Sequence, residues 1–535
     1  MKGDKKLIWL DINSSYSHSS LALPAIEACR ERDDYEWGRV SATINSELYP
    51  IVCELYAKSP DVVASTLWLF NHEVVVKLCQ RIKALRPETV IILGGPEFNG
   101  DNEEFLRRNN FVDFVFRGEG EVEFHRFLRG EDLDSIVGLC HIDSSGKYCD
   151  NGKARVADFA NIPSPESSEF FCYSSPFVQL ESSRGCFNNC AFCVSGGDKP
   201  LRSRSLEDIK LRIDNIRDHN IRDVRMLDRT FNYSPSRARD MLALFAEYPD
   251  MNFHLEIHPA LLTDSLCEVL SEVPKGVLHI EAGMQSLSDR VIEACARVGS
   301  NADALRGLSR LCRMDNFETH TDLIAGLPHY TFPQIFSDVR QLSALGAGEI
   351  QLELLKLLPG TKMRQDADMW GIKYNPAPPY EVLQSAAISV EELNRARLLS
   401  KLIDRFYNAK MWQGVTRRII NETTDFLEHF LDYLIPTELL EKPIGAAKCG
   451  ALLFDFCREY RGGEYLDDIS LAWISNGFSL RAVEAGQVTK AVTLPAGVTR
   501  QHNVHYYMWQ GRSRRCIICF DRSKEHSYPS EVVEL

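Results

Sequence analysis

The sequence predicts an α/β protein in three parts. A doubly wound parallel sheet comes first, a partial (β/α)6 barrel second, and a mostly helical, mixed region last. Three observations carry this. Short apolar runs alternate with helically spaced stretches over 1–140 and again over 176–365, the pattern of strands joined by helical crossovers. A polar, irregular stretch over 141–175, with "DSSGKYCDNGK" and "IPSPESSEFFCYSSP", reads as a linker between them. Past residue 365 the alternation stops and 366–535 turns helical, then mixed. At 535 residues the chain exceeds what one core can serve.

In the first region the strand candidates are "KLIWLDI", "DVVASTLWLF", "TVIILGG" and "VDFVFRG", with "HEVVVKLCQRIKAL" and "NEEFLRRN" as helices between them. Open parallel sheets bind ligands beyond the carboxyl ends of their strands. Two glycine turns stand at such ends: "LGGPEF", with Gly94, Gly95, Pro96 and Glu97, and "RGEGE", with Gly118 and Glu119. Glycine lets a ligand approach the backbone closely there.

The second region opens on "VQLESSRG" and continues through "DVRMLDRTF", "FHLEIHP", "VLHIEAGMQS", "THTDLIAGLP" and "IQLELLKLLPGT". Helical stretches such as "SLEDIKLRIDNIRDH" separate these strands. Six strands with crossovers suit a partial barrel, whose chemistry sits at the strand C-termini. Beyond it, "EVLQSAAISVEELNRARLLSKLIDRFYNAKMW" is strongly helical, with "ISVEE" as a capped start.

Composition narrows the function classes. With 44% hydrophobic and 25% charged residues the chain is of ordinary globular make-up. No apolar run reaches the 18 residues of a membrane helix, and "MKGDKKLIWLDIN" lacks the pattern of a signal peptide. Both point to the cytoplasm, where the sixteen cysteines serve as metal ligands or buried residues rather than disulfides. A net charge of −14 argues against a broad nucleic-acid surface.

"RGCFNNCAFCVSGG" places Cys186, Cys190 and Cys193 within eight positions, directly after the first strand of the second region. A zinc site or a plant-type ferredoxin needs four thiolates. Three thiolates on a four-iron cluster leave one iron open for a cofactor or substrate. Cys516 and Cys519 in "RRCIICF" could ligate a second metal with Cys449 and Cys457, or be structural.

The Cys-x3-Cys-x2-Cys spacing, with Phe192 before the last cysteine, resembles the radical S-adenosylmethionine superfamily. The resemblance implies a [4Fe-4S] cluster whose open iron is chelated by S-adenosylmethionine, which is then cleaved to a 5′-deoxyadenosyl radical. It also implies S-adenosylmethionine contacts from Phe192 and from later strand ends. "LDRTFN" resembles the element near the methionyl group, through Asp228 and Thr230. "HIEAGMQS" resembles the ribose-binding element, through Glu281, Gln285 and Ser286. "DLIAGLP" resembles the element flanking adenine, around Ile324 and Gly326, and Glu256 in "HLEIHP" faces the same mouth.

The first region resembles the cobalamin-binding domain that precedes the radical domain in one branch of that superfamily. Ser65-Thr66-Leu67, then 26 residues, then Gly94-Gly95, reproduces its Ser-x-Leu…Gly-Gly pattern. The Asp-x-His-x-x-Gly element of members that bind cobalt through histidine is missing, since that region reads "HSSLAL". This implies base-off cobalamin with no histidine on cobalt, while Asn13, Tyr16 and His18 of "NSSYSHSS" could still line the corrin. "PPYEVL" and "DRFYN" resemble an uncharacterised domain attached to some members.

The resemblance leaves three readings open. The first is a methyltransferase acting on an unactivated carbon of a small or peptide-borne substrate, served by a flavodoxin- or ferredoxin-type electron donor. The second is a non-methylating rearrangement or cyclisation with the same cofactors. The third is a corrinoid or iron–sulfur sensor or electron-transfer protein without turnover.

Overall fold

The computed structural model describes residues 5–15, 17–31, 34–478, 487–491, 494, 504–521 and 531–535. Seven strands form the first sheet: β1 (Lys5–Asn13), β2 (Tyr35–Thr43), β3 (Val62–Thr66), β4 (Val90–Gly94), β5 (Phe114–Phe116), β6 (Leu139–Ile142) and β7 (Tyr148–Asp150). Their order is β2-β1-β3-β4-β5-β6-β7. The first five strands pair in parallel, and β6 and β7 add antiparallel. Side chains alternate between two buried faces: Ile8, Leu10 and Ile12 enter one apolar cluster, Leu7 and Trp9 the other. A strand buried on both faces reads as a continuous apolar run, which is why "KLIWLDI" shows no polar alternation. The strand order reverses between β1 and β3, and a crevice opens at such a switch point.

The stretch 141–175 is packed rather than loose. It holds the end of β6 and all of β7, and Ala154 forms a parallel bridge with Gly118. Phe159 is buried between the guanidinium groups of Arg184 and Arg204, at 4.6 and 4.9 Å from its ring centre. Glu166 takes a bidentate pair from Arg212 at 2.9 and 2.8 Å, with side-chain exposures of only 2% and 4%. Its polar composition, which suggests a linker, reflects charges that are satisfied inside the fold.

The second parallel sheet starts with β8 (Phe177–Leu180), followed by the two-residue strands β9 (Ser183–Arg184) and β10 (Arg202–Ser203), which pair antiparallel across the cysteine loop. β11 (Asp223–Met226), β12 (Asn252–Glu256) and β13 (Leu278–Glu281) then add to β8 in parallel, in the order β8-β11-β12-β13. β14 (Glu318–Ala325) and β15 (Glu349–Leu354) complete the six expected strands. The short pair β16 (Lys373–Tyr374) and β17 (Val382–Gln384) is antiparallel.

The chain divides into two compact units, one made of 1–319, 326–330 and 354–389, the other of 320–325, 331–353 and 390–535. The second unit carries helices Val390–Leu402, Lys410–Glu422, Phe426–Leu434, Ala446–Glu459 and Leu466–Ser475. It ends in an antiparallel sheet of β18 (Gln487–Lys490), β19 (Val504–Gln510), β20 (Arg515–Asp521) and β21 (Glu531–Glu534). That sheet decides between the two readings of Cys516 and Cys519. Cys516 and Cys519 lie three apart on β20, so the strand's period of two sends them to opposite faces. Cys516 packs with Trp509 and Ile518, and Cys519 with Tyr506 and Ile517. They cannot converge on one ion, and among the described residues no group of three His, Cys, Asp or Glu is arranged to hold one. Cys449 and Cys457 are buried in helix Ala446–Glu459.

Replacing Glu166 by Ala leaves the buried Arg212 without its partner, which costs about 3–5 kcal/mol. Denaturant titration should show that loss, whereas a loss below ~1 kcal/mol, the scale of exposed pairs, would mean the segment is a loose linker after all.

Candidate functional site

The cysteine loop is held by backbone hydrogen bonds. Cys186 N donates to Asp198 O at 3.0 Å and Gly197 N to Asn188 O at 2.8 Å, closing the loop on itself. Ala191, between the second and third cysteines, donates to Cys295 O at 2.8 Å and accepts from Met363 N at 2.7 Å. Cys186 and Cys190 are each 7% exposed, and all sixteen cysteines are free thiols. Burial pushes the Cys190 thiol up to about 11; the Arg297 charge opposes this, and Cys193 and Cys186 add to it. A buried thiol such as Cys190 holds its proton unless a cationic group compensates it, so the loop fits an iron–sulfur cluster. Each thiolate of a cluster meets a different iron, so cluster ligands stand farther apart than the ligands of a single ion. The Ser195 amide donates to Cys193 Sγ at 3.4 Å, and such bonds tune a cluster's potential. Phe187 packs 5.8 Å from the ring of His258, whose pKa is pushed down to about 3 by burial and by the Arg297 charge. His258 is therefore uncharged at neutral pH and leaves the Arg297 guanidinium as a charge on this flank of the loop.

The strand-end candidates fall into two groups. Asp228 is buried and accepts hydrogen bonds from Ser182 N at 3.1 Å, Ser182 Oγ at 2.7 Å and Ser183 Oγ, tying the end of β11 to the chain after β8. Burial raises its pKa, against those hydrogen bonds. Thr230 Oγ1 stands 3.8 Å from Cys186 Sγ. Ser286 is fully buried, and its hydroxyl accepts from Ser288 N at 3.1 Å. These groups are occupied in shaping the loops. Glu256 and Glu281, in contrast, are register neighbours at the ends of β12 and β13 and are only partly buried. His254 Nε2 lies 3.1 Å from Glu281 Oε2. Gln285 follows at φ 66°, a region non-glycine residues rarely occupy and one enriched at functional sites. Phe192 is half-buried on the cysteine loop, Ile324 is half-buried near the end of β14, and Gly326 follows that strand at φ 96°.

A cavity of about 580 Å³ opens where the carboxyl end of the first sheet faces the cysteine loop. Ser65, Thr66, Gly94, Gly95 and Pro96 line one side, with Gly118 and Glu119 beside them. Gly185, Val194, Ser195 and Asp198 of the cysteine loop line the other, with Leu227 and Arg229 after β11. Both cofactor-bearing regions anticipated from the sequence therefore meet at one space, of a size suited to a bound cofactor. The Ser65 hydroxyl donates to Leu10 O at 2.6 Å, locking β3 to β1 at the switch point. Gly95 has φ 105°, and a Cβ there would stand 2.7 Å from Leu67 O and from Thr66 Cγ2. Its glycine is thus required by the neighbouring turn as well as by any ligand, whereas a Cβ at Gly94 makes only ordinary contacts at 3.7 Å.

The three cysteines and the strand-end candidates Asp228, Thr230, Glu256, Glu281, Gln285 and Ser286 are not part of the lining, nor are Phe192, Ile324 and Gly326. Four of the described corrin candidates do not line the cavity either. Leu67 is core, Glu97 turns inward, and Asn13 ends β1 with its carbonyl accepting from Ile44 N. His18 lies 2.8 Å from Ser15 Oγ through Nδ1 and packs edge-on against Phe177. Tyr16 lies outside the described residues. Sequence reasoning missed the charged wall: Arg184 pairs with Glu121 and Glu181 at 2.7 Å each, and Arg202 with Glu119 at 2.7 Å. Burial opposes the Arg184 charge, but Glu121 and Glu181 outweigh it and raise its pKa. Burial likewise raises Glu119, but Arg202 and Arg184 outweigh it and hold it ionised. The one sequence signal was a run of charges, "RGEGE" and "SSRG", at two strand ends.

Three family models match: "B12 binding domain" over residues 11–128, "Radical SAM superfamily" over 180–341, and "Protein of unknown function (DUF4080)" over 368–470. An uncharacterized methyltransferase of Pyrococcus horikoshii is 24% identical over 329 residues, 57% of this chain and 68% of that protein. The cobalamin-dependent radical SAM methyltransferase TokK of Streptomyces tokunonensis is 23% identical over 60% of this chain, but over only 51% of its own length. The chain thus spans about half of some of the curated relatives it matches. The fold is similar to the cobalamin-dependent S-adenosylmethionine radical enzyme OxsB, with a TM-score of 0.63 at 14% identity over 88% of this chain and 79% of that one.

Replacing Cys186, Cys190 and Cys193 together by Ala should abolish iron–sulfur absorbance while cobalamin binding survives, because the corrin side of the cavity is built from a different sheet. A four-iron cluster retained in that variant would place its ligands elsewhere.

Proposed function

Because the chain belongs to the radical S-adenosylmethionine proteins that carry a B12-binding domain, we propose that it is a cobalamin-dependent radical methyltransferase acting on an unactivated carbon. The observation that carries this reading is the single cavity bounded by the Gly94-Gly95 turn and by the cysteine loop. Enzymes of this kind work by aligning the reactive atoms of their cofactors and excluding water.

In this reading Cys186, Cys190 and Cys193 hold the [4Fe-4S] cluster, and S-adenosylmethionine spans the ends of β11 to β13. Glu256, Glu281 and Gln285 supply its polar contacts. Asp228 and Ser286 act indirectly, by fixing the loops that present those contacts. Gly94, Gly95 and Pro96 offer backbone without obstruction to the corrin and its tail. When bound, the cluster with S-adenosylmethionine supplies a carbon-centred radical, and the corrin supplies a methyl group. The ion pairs of Arg184 and Arg202 keep the wall between the two sides charged, ordered and internally compensated. A small or peptide-borne substrate and a flavodoxin- or ferredoxin-type donor belong to the same reading, as does a cytoplasmic location. No helix among the described residues is long and apolar enough to cross a membrane.

Turnover with methyl-labelled S-adenosylmethionine should place label in the product and release 5′-deoxyadenosine. 5′-Deoxyadenosine without labelled product would instead indicate a rearrangement or cyclisation, and formation of neither would indicate a sensor.

The cavity lining holds no histidine among the described residues, and His18 is engaged with Ser15 and Phe177. The bound cobalt(II) state should therefore show no nitrogen superhyperfine splitting in its electron paramagnetic resonance spectrum, and His18→Ala should leave that spectrum unchanged. A triplet lost in the His18 variant would make His18 the axial ligand.

A further inference from the structure

The segment 355–382 touches both the cysteine loop and the turn that follows β4. At one point Met363, fully buried in the short helix Lys362–Gln365, donates its N–H to Ala191 O at 2.7 Å, between two of the cluster cysteines. At another, Gly360 lies against the glycine turn that follows β4: a Cβ on Gly360 would stand 2.6 Å from Asn99 O. The contact that fixes this turn comes from a tyrosine. Tyr380 donates its hydroxyl to Glu97 Oε2 at 2.6 Å, across 283 positions of sequence, and His72 Nδ1 lies 2.8 Å from the same oxygen.

Glu97 sits inside the turn whose Gly95, Pro96 and Asn99 line the cavity, yet its own side chain points away and is buried. A buried carboxylate needs hydrogen-bond partners, so its direction is set by where those partners stand. Tyr380 is itself buried and held at φ 59°, a strained backbone that persists only when surrounding contacts over-determine it. Those contacts are present: Leu357 N donates to Tyr380 O at 2.9 Å, Val382 N donates to Leu355 O at 3.0 Å, and the Arg364 guanidinium lies 4.7 Å from the tyrosine ring centre. Burial raises the Tyr380 hydroxyl's pKa and Glu97 raises it further, so the phenol stays protonated and remains the donor.

We propose that residues 355–382 form a strap that sets the spacing between the corrin turn and the cluster loop, with Tyr380 as the positioning residue that acts on the corrin through Glu97. This gives a role to the beginning of a region whose family model carries no function. It rests on the reading that cobalamin occupies the 580 Å³ cavity.

The test uses the full-length protein with its cluster reconstituted. Tyr380→Phe keeps the ring under Arg364 and removes only the donor. Cobalamin should then bind about tenfold more weakly, the scale of one hydrogen bond to a charged group. The electron paramagnetic resonance line shape of bound cobalt(II) should change, while iron content, S-adenosylmethionine affinity and melting temperature stay at wild-type values. Glu97→Gln, which keeps an acceptor but removes the charge, should lie between the two. Wild-type affinity and line shape in Tyr380→Phe overturn the proposal while leaving the functional reading intact. A parallel loss of cluster or of melting temperature also overturns it, because Tyr380 would then serve general stability. Absence of cobalamin binding in the wild-type protein defeats the functional reading and the proposal together.

Discussion

Strand polarity is the constraint on which the rest of this molecule depends. In a parallel sheet every loop that follows a strand emerges at the same edge, and the crossover that returns the chain leaves that edge free. The first sheet delivers Ser65, Gly94 and Gly118 to its carboxyl edge in this way. The second delivers the cysteine loop, the Asp228–Thr230 turn and the Glu256–Glu281 pair to its own. The cavity is bordered by the carboxyl edge of the first sheet and, from the second region, by residues beside the cysteines and after β11, so residues far apart in sequence line one space.

What was legible in the sequence follows from the same constraint. A glycine pair after an apolar run and a cysteine cluster after another are local signals, and each landed at the strand end where it was expected. Where the sequence fell short, the cause was long-range pairing. Glu166 reads as one more polar residue in a serine-rich stretch, and only the fold brings Arg212 to it across 46 positions. Tyr380, within "PPYEVL", carries no signal of its partner, which lies 283 positions away in the first region. Gly95 shows a subtler shortfall: its residue type was legible, but half of its reason, the crowding by Leu67 and Thr66, was not. The spacing of Cys516 and Cys519 leaves ligand and structural roles open, and the pleat of a strand assigns them to opposite faces.

The electrostatics of the cavity are arranged as closed accounts rather than as a field. Arg184 meets two carboxylates at 2.7 Å and a third, Glu119, at 3.6 Å, and Glu119 is taken up chiefly by Arg202. Beside the cysteine loop, His258 is neutral and Cys186 and Cys190 are buried, so the Arg297 charge and any charge on a bound group interact strongly with their few neighbours.

The path of the chain between its two compact units has a consequence for how such a protein can be cut or assembled. The backbone changes unit after residues 319, 325, 330, 353 and 389. Only the last of these leaves the remaining chain wholly in one unit. A break at residue 365, where the strand–helix rhythm ends, would part Met363 and its bond to Ala191 from Tyr380 and its bond to Glu97. Swapping the C-terminal region between relatives, by recombination or at the bench, therefore divides the second unit even at residue 389, because 320–325 and 331–353 stay behind.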